Sequence, residues 1–200
     1  MNRLILIFFL LSPLSMQSHN ELCTIRKAGE NVYVSSQIDD HHEINYWFKK
    51  CMANDLFTFY RVSVTSGTTG TTVVNEAYSD NIGPFEIRGG GWCGGNHLFT
   101  DEKTQTAETF SIKLYADGQS ISSDTLLKAQ IIKLEVKNRI FNPLSAEQTG
   151  DKTYFTDTLC IENVNYTIRG NSIQVDLSHD YINRTCLLYT SPSPRDRSLS

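Results

Sequence analysis

The chain is 200 residues long, 40% hydrophobic and 20% charged, with a formal net charge of -4; that is enough sequence for one domain with a real core. Its 18 Lys and Arg residues are outnumbered by 22 Asp and Glu. No basic cluster exceeds the pair Lys49-Lys50, which disfavours nucleic acid and anionic membrane as partners.

In chain order, the first element is a leader. Arg3 precedes an apolar run over residues 4–11, extended by Pro13-Leu14 and followed by Ser15 and Ser18. That order is the pattern of a secretory signal peptide. It predicts that residues 1–18 are removed by cleavage near Ser18, giving a secreted or periplasmic product. The run is shorter than the ~20 apolar residues of a transmembrane helix, and no second such run follows, so the mature chain is expected to carry no transmembrane segment.

From residue 19 to 185 the pattern is that of a single β-rich domain. A run begins at Val32-Tyr33-Val34 and reaches Ile38. Residues 43–52 fit a helical stripe through Ile44, Trp47, Phe48 and Cys51, and equally a strand through Ile44, Tyr46 and Phe48; aromatic and β-branched enrichment favours the strand. Residues 57–64 alternate, placing Phe57, Phe59 and Arg61 on one face and Thr58, Tyr60, Val62 and Val64 on the other. Further stripes are Phe110, Ile112 and Leu114; Ile132, Leu134 and Val136; Val164, Tyr166 and Ile168; and Ile173, Val175 and Leu177. A period of two means half-buried strands. Asp117-Gly118 and Gly170-Asn171 are hairpin dipeptides, and residues 67–70 hold another break. Residues 78–98 and 142–153 are expected to be long loops. The whole predicts an all-β fold, an antiparallel β-sandwich or super-sandwich.

Export would place Cys23, Cys51, Cys93 and Cys160 in an oxidising compartment, where at least one disulfide is expected. Cys93 is the favoured participant, because a crosslink restrains a glycine-rich loop most.

The sharpest native motif is Gly89-Gly90-Gly91-Trp92-Cys93-Gly94-Gly95-Asn96-His97, which holds five of the 12 glycines. Such density asks for unusual dihedrals or a close approach of main chain to something. Trp92 could stack on a sugar ring, Asn96 offers a donor and an acceptor, and a histidine such as His97 is a residue type that can transfer protons. Asp80, Asn81, Asp101 and Glu102 would add sugar-type hydrogen bonds if the loops converge. His97 and His179 are the candidate catalytic pair. The bland alternative is structural: Trp92 plugs the core and the glycines turn the chain. His41-His42 has no third ligand at hand, so no metal site is expected. No cofactor motif occurs: the P-loop, the dinucleotide glycine pattern, H-E-x-x-H and G-x-S-x-G are all missing.

Three resemblances follow from these motifs. Ser79-Asp80-Asn81-Ile82-Gly83-Pro84-Phe85 together with Gly91-Trp92-Cys93-Gly94-Gly95-Asn96-His97 resembles a group of secreted bacterial proteins without an assigned activity, which implies export. Asn96-His97-Leu98-Phe99 is similar to the Asn-His-aromatic segment of galactose-mutarotase-like super-sandwiches. That likeness implies a second histidine, matched by His179, and a late glutamate beyond Thr185. The tail from Cys186 to Asp196 resembles a translated sequencing adapter, which implies that residues 186–200 are not native and that the domain is truncated at its C-terminus. The tail is therefore expected to form no packed element. The functional expectation is a secreted protein that recognises or processes carbohydrate through the loop at residues 89–97. The alternative is a non-catalytic surface, adhesion or structural module. On the first reading the expected partner is a glycan; on the alternative the ligand is left open.

Overall fold

A computed structural model describes residues 22–67, 70–76, 84–182 and 187–190. The expected signal segment, Asp80 and Asn81 lie outside the described residues.

The fold is an antiparallel β-sandwich. The first sheet takes its strands nearly in chain order: β1 (Cys23–Ala28), β2 (Asn31–Gln37), β3 (His42–Cys51), β4 (Leu56–Ser66) and β5 (Gly70–Glu76). After a small hairpin of β6 (Phe85–Ile87) and β7 (Gly91–Cys93), the chain enters the second sheet with β8 (Ala107–Ala116) and β9 (Gln119–Ser120). It returns to the first sheet with β10 (Thr125–Ala129), which pairs with β1. It then continues the second sheet with β11 (Ile132–Phe141), β14 (Thr158–Arg169) and β15 (Ser172–Tyr181). The sheet orders are β10-β1-β2-β3-β4-β5 and β15-β14-β11-β8-β9. At the Asp117-Gly118 turn both residues take positive φ, 47° and 81°, as a tight β8–β9 hairpin requires.

The predicted stripes form the core between the sheets. Ile132, Leu134, Val136, Val164, Tyr166 and Ile168 are all buried, facing Ile25, Val32, Val34 and Phe48. Tyr166 anchors the centre, with its ring edge-on to Phe48 at 5.1 Å and to Phe59 at 5.8 Å. Its hydroxyl pairs with Thr58 Oγ1 at 3.0 Å, which removes the cost of burying it. A second, smaller core of Leu56, Phe85, Ile87, Cys93, Ile140 and Cys160 lies under the β6–β7 hairpin.

Residues 43–51 are strand, as the aromatic and β-branched content predicts, and Met52 begins the turn that follows. Two stripes are broken by bulges. The β3–β4 register shifts between Trp47 and Phe48, which pair with Arg61 and Phe59. The extra residue, Tyr60, turns Arg61 to the outer face while Phe59 packs on the core. The β8–β11 register shifts likewise at Phe110, which is left 45% exposed, with Arg139 over its ring. A bulge inserts one residue and so reverses the alternation beyond it. Val175 and Leu177 also stay about half exposed, because β15 is an edge strand.

Three further expectations are corrected. Residues 142–153 are not a bare loop: a 3-10 turn (Pro143–Ser145) leads into a hairpin of β12 (Ala146–Thr149) and β13 (Lys152–Phe155). The tail does form a packed element, since β16 (Leu187–Thr190) pairs with β6 and Leu187 packs on the smaller core. An open strand edge offers backbone hydrogen bonds to any extended segment, whatever its side chains. Finally, the expected disulfide is not formed among the described residues Cys23, Cys51, Cys93 and Cys160. Cys93 and Cys160 fill the smaller core as compact apolar groups, and Cys23 Sγ lies 3.5 Å from the Gly170 carbonyl.

Candidate functional site

The glycine loop is held from below. Asn54, 1% exposed, donates from Nδ2 to the carbonyls of Gly95 and His97, each at 2.9 Å. Its Oδ1 accepts from the Thr106 amide at 2.7 Å. Thr106 Oγ1 accepts from the Gly94 amide at 3.0 Å and reaches the His97 carbonyl at 2.5 Å. Gly94 takes φ +73°, a conformation that L side chains rarely adopt, and this explains that glycine; a Cβ there would meet Phe85 and Ile140 only at ordinary contact distance. Trp92 is 36% exposed and stacks on the His97 ring, with centroids 5.0 Å apart at 20°.

Of the expected site residues, Trp92 and His97 therefore come together. Asn96 Oδ1 instead accepts from the Ala53 amide at 2.7 Å. Asp101 accepts from the Thr104 hydroxyl at 2.6 Å and from the Thr104 and Lys103 amides at 2.8 and 3.1 Å. Those bonds, the hydroxyl first, hold its carboxyl well below the usual carboxylate range. Both residues close the loops that carry them.

His179 belongs to another group. Its Nε2 lies 3.1 Å from Glu162 Oε2 across the β14–β15 hairpin, and its ring is edge-on to Phe85 at 5.0 Å. Glu162, 1% exposed, also accepts from Asn138 Nδ2 at 2.9 Å, and Asn138 Oδ1 accepts from Thr109 at 2.6 Å. This relay keeps a buried carboxylate satisfied, as burial demands. Cys160 stands beside it on β14, but burial pushes the thiols of Cys93 and Cys160 up to about 12. Neither is a ready nucleophile. The two histidines have different partners: His97 stacks on Trp92, whereas His179 Nε2 faces Glu162. Sequence reasoning missed Glu162. The Gly170-Asn171 turn would have found it, because a two-residue hairpin loop sets Glu162 opposite His179.

The described residues line a groove of about 420 Å³ on the outer face of the first sheet. Its floor is a row of side chains in direct cross-strand register: Leu126 on β10, Arg26 on β1, Tyr33 on β2, Trp47 on β3 and Arg61 on β4. A parallel row two residues along holds Thr24, Ser35, Asn45 and Ser63. With strands about 4.8 Å apart, the first row runs about 20 Å across the sheet.

The aromatics in this row form a ladder. Tyr33 stacks on Trp47 at 5.1 Å and 27°, and Tyr60 from the bulge meets Trp47 edge-on at 4.6 Å. Lys49 Nζ locks the far end, 3.7 Å from the Tyr60 ring centre and 5.0 Å from that of Trp47. The polar row is ordered too: Asn45 Nδ2 donates to Thr65 Oγ1 at 3.1 Å, which lies 3.2 Å from Thr71 Oγ1. The Trp47 indole N–H is shielded from solvent without an acceptor among the described residues, a condition native proteins seldom leave unexplained. Two smaller hollows lie elsewhere, one lined by Gln37, Asp40, His41 and Glu43 and one beside Glu135 and Asp176. Neither His97 nor His179 lines any of the three.

Among the described residues no group of three or more potential ligands could hold a metal ion, and no helix is long and apolar enough to cross a membrane. Comparison with known proteins found no matching family model, no matching curated protein and no matching solved structure.

Proposed function

We propose that this chain is an exported, non-catalytic carbohydrate-recognising β-sandwich whose ligand lies across the outer face of the first sheet. The observation that carries the reading is the paired rows: Tyr33 and Trp47 in one, Thr24, Ser35, Asn45 and Ser63 in the other. A sugar presents an apolar C–H face and a rim of hydroxyls. It therefore needs an aromatic surface flanked by small groups that both donate and accept. The groove volume falls in the range of ligand sites, and its rigid strands and the Asn45–Thr65–Thr71 chain hold those groups in place before binding. Export is supported by the leader pattern of residues 1–18.

The glycine loop is the other place a glycan could rest, since Trp92 is partly exposed. One face of its ring is taken by His97, and the Asn96 and Asp101 acceptors are engaged by backbone amides. Those features favour the sheet face.

A glycan array probed with the wild-type chain, Tyr33→Ala and Trp92→Ala tests the assignment. Tyr33 is an outer-face residue, so its truncation leaves the core untouched. Wild type and Trp92→Ala should bind alike, while Tyr33→Ala should lose about tenfold or more, as loss of an aromatic anchor usually does. Binding abolished in Trp92→Ala and kept in Tyr33→Ala would move the site to the loop. Absence of any bound glycan for wild type would overturn the reading.

A further inference from the structure

Building on the glycan reading, we infer that the groove takes an acidic oligosaccharide, whose carboxylate or sulfate pairs with Arg26 while a sugar ring rests on Tyr33. The chain as a whole carries a net charge of -4, yet the described residues lining this groove include two arginines and no carboxylate. Arg61 stands in register with Glu76 on β5. Arg26 stands between Tyr33 and Leu126, neither of which carries charge, on the exposed side of β1.

Two lysines extend the same polarity. Lys49 sits over the aromatic ladder, and Lys128 on β10 lies in register with Thr24 of the polar row. The nearest carboxylate along β3, Glu43, lines a separate hollow with Asp40, His41 and His42. A cationic strip on an acidic protein attracts anions locally while the remaining surface repels them. A planar guanidinium is also the side chain best matched to a carboxylate or sulfate edge. The neighbouring ring matters equally: a simple anion would use Arg26 alone, whereas a ligand spanning Arg26 and Tyr33 must join a negative group to an apolar face. Acidic sugars do that within one residue.

The test compares a linear tetra-galacturonate with its methyl ester, which keeps the sugar rings and removes the charge, by calorimetric titration of the full chain. A sulfated tetrasaccharide and its desulfated form make the second pair. At least one acidic probe should bind about tenfold or more tightly than its neutral partner, as expected for a charge-assisted hydrogen bond. Arg26→Gln, a substitution on the exposed side of β1, should close that gap. Added salt should narrow the gap in the same direction. Equal binding within both pairs, or binding of neutral glycans alone, would overturn the acidic assignment and leave the glycan reading standing. So would an acid preference that Arg26→Gln leaves intact. No binding of these probes or of any glycan on the array would overturn both.

Discussion

Truncating Asn54 to alanine should loosen the glycine loop and destabilise the whole chain. The side chain is 1% exposed and makes three short bonds, to the Gly95 carbonyl, the His97 carbonyl and the Thr106 amide. The His97 carbonyl keeps a partner in Thr106 Oγ1, so its loss is small. The Thr106 amide and the Gly95 carbonyl lose the amide that faces them. Leaving a buried polar group unsatisfied costs about 1–3 kcal/mol, so two such groups place the effect at about 2–6 kcal/mol. For a domain of this size that should lower the melting temperature by about 10 °C. Thermal unfolding followed by circular dichroism measures it, and hydrogen exchange should rise at residues 94–106 beyond the global change. A melting temperature within about 2 °C of wild type would refute the view that Asn54 pins the loop.

Other expectations follow from the same geometry. Cys93 and Cys160, buried with their thiols pushed up to about 12, should alkylate far more slowly at pH 8 in the native chain than in urea. A Cys93–Cys160 disulfide found by mass spectrometry in unreduced protein would contradict the unpaired cysteines. Cys51, half-buried and raised to about 11, should react faster than either, and equal rates for all three would count against the burial order. Asp101, whose folded carboxyl is held low by Thr104, should contribute stability above the ordinary carboxylate range, about pH 4, that is lost as pH falls toward its folded value. Asp101→Asn should flatten the acid limb of a stability–pH profile, and an unchanged acid limb would show that the carboxylate does not matter there.

Much of the sandwich is legible in the alternation. The stripes through Leu134 and Tyr166 mark buried faces, and Asp117-Gly118 marks its turn. The two broken stripes share one cause. Tyr60 and Phe110 each add a residue to one strand of a pair, and nothing in the local composition announces a bulge. Residues 142–153 look like a loop because β12 and β13 are short and polar, with exposed residues on both strands. The site was legible in part. Trp92 and His97 lie close in sequence, and they do stack. Arg26, Tyr33, Trp47 and Arg61 lie on four strands, so their shared row exists only once the register of the whole sheet is set. Asn54 gives no signal at all: a lone asparagine after a strand reads as a turn residue, and its role depends on a segment 41 residues away.

The chain has two tryptophans, one in each competing site, and their indole N–H groups give separate nuclear magnetic resonance signals. Titrating the tightest-binding glycan from the array into 15N-labelled protein therefore tests the central claim most directly. Trp47 lies in the groove, so its indole signal should shift progressively and saturate while that of Trp92 stays in place. A saturating shift of Trp92 with Trp47 unmoved would contradict a ligand site on the sheet face.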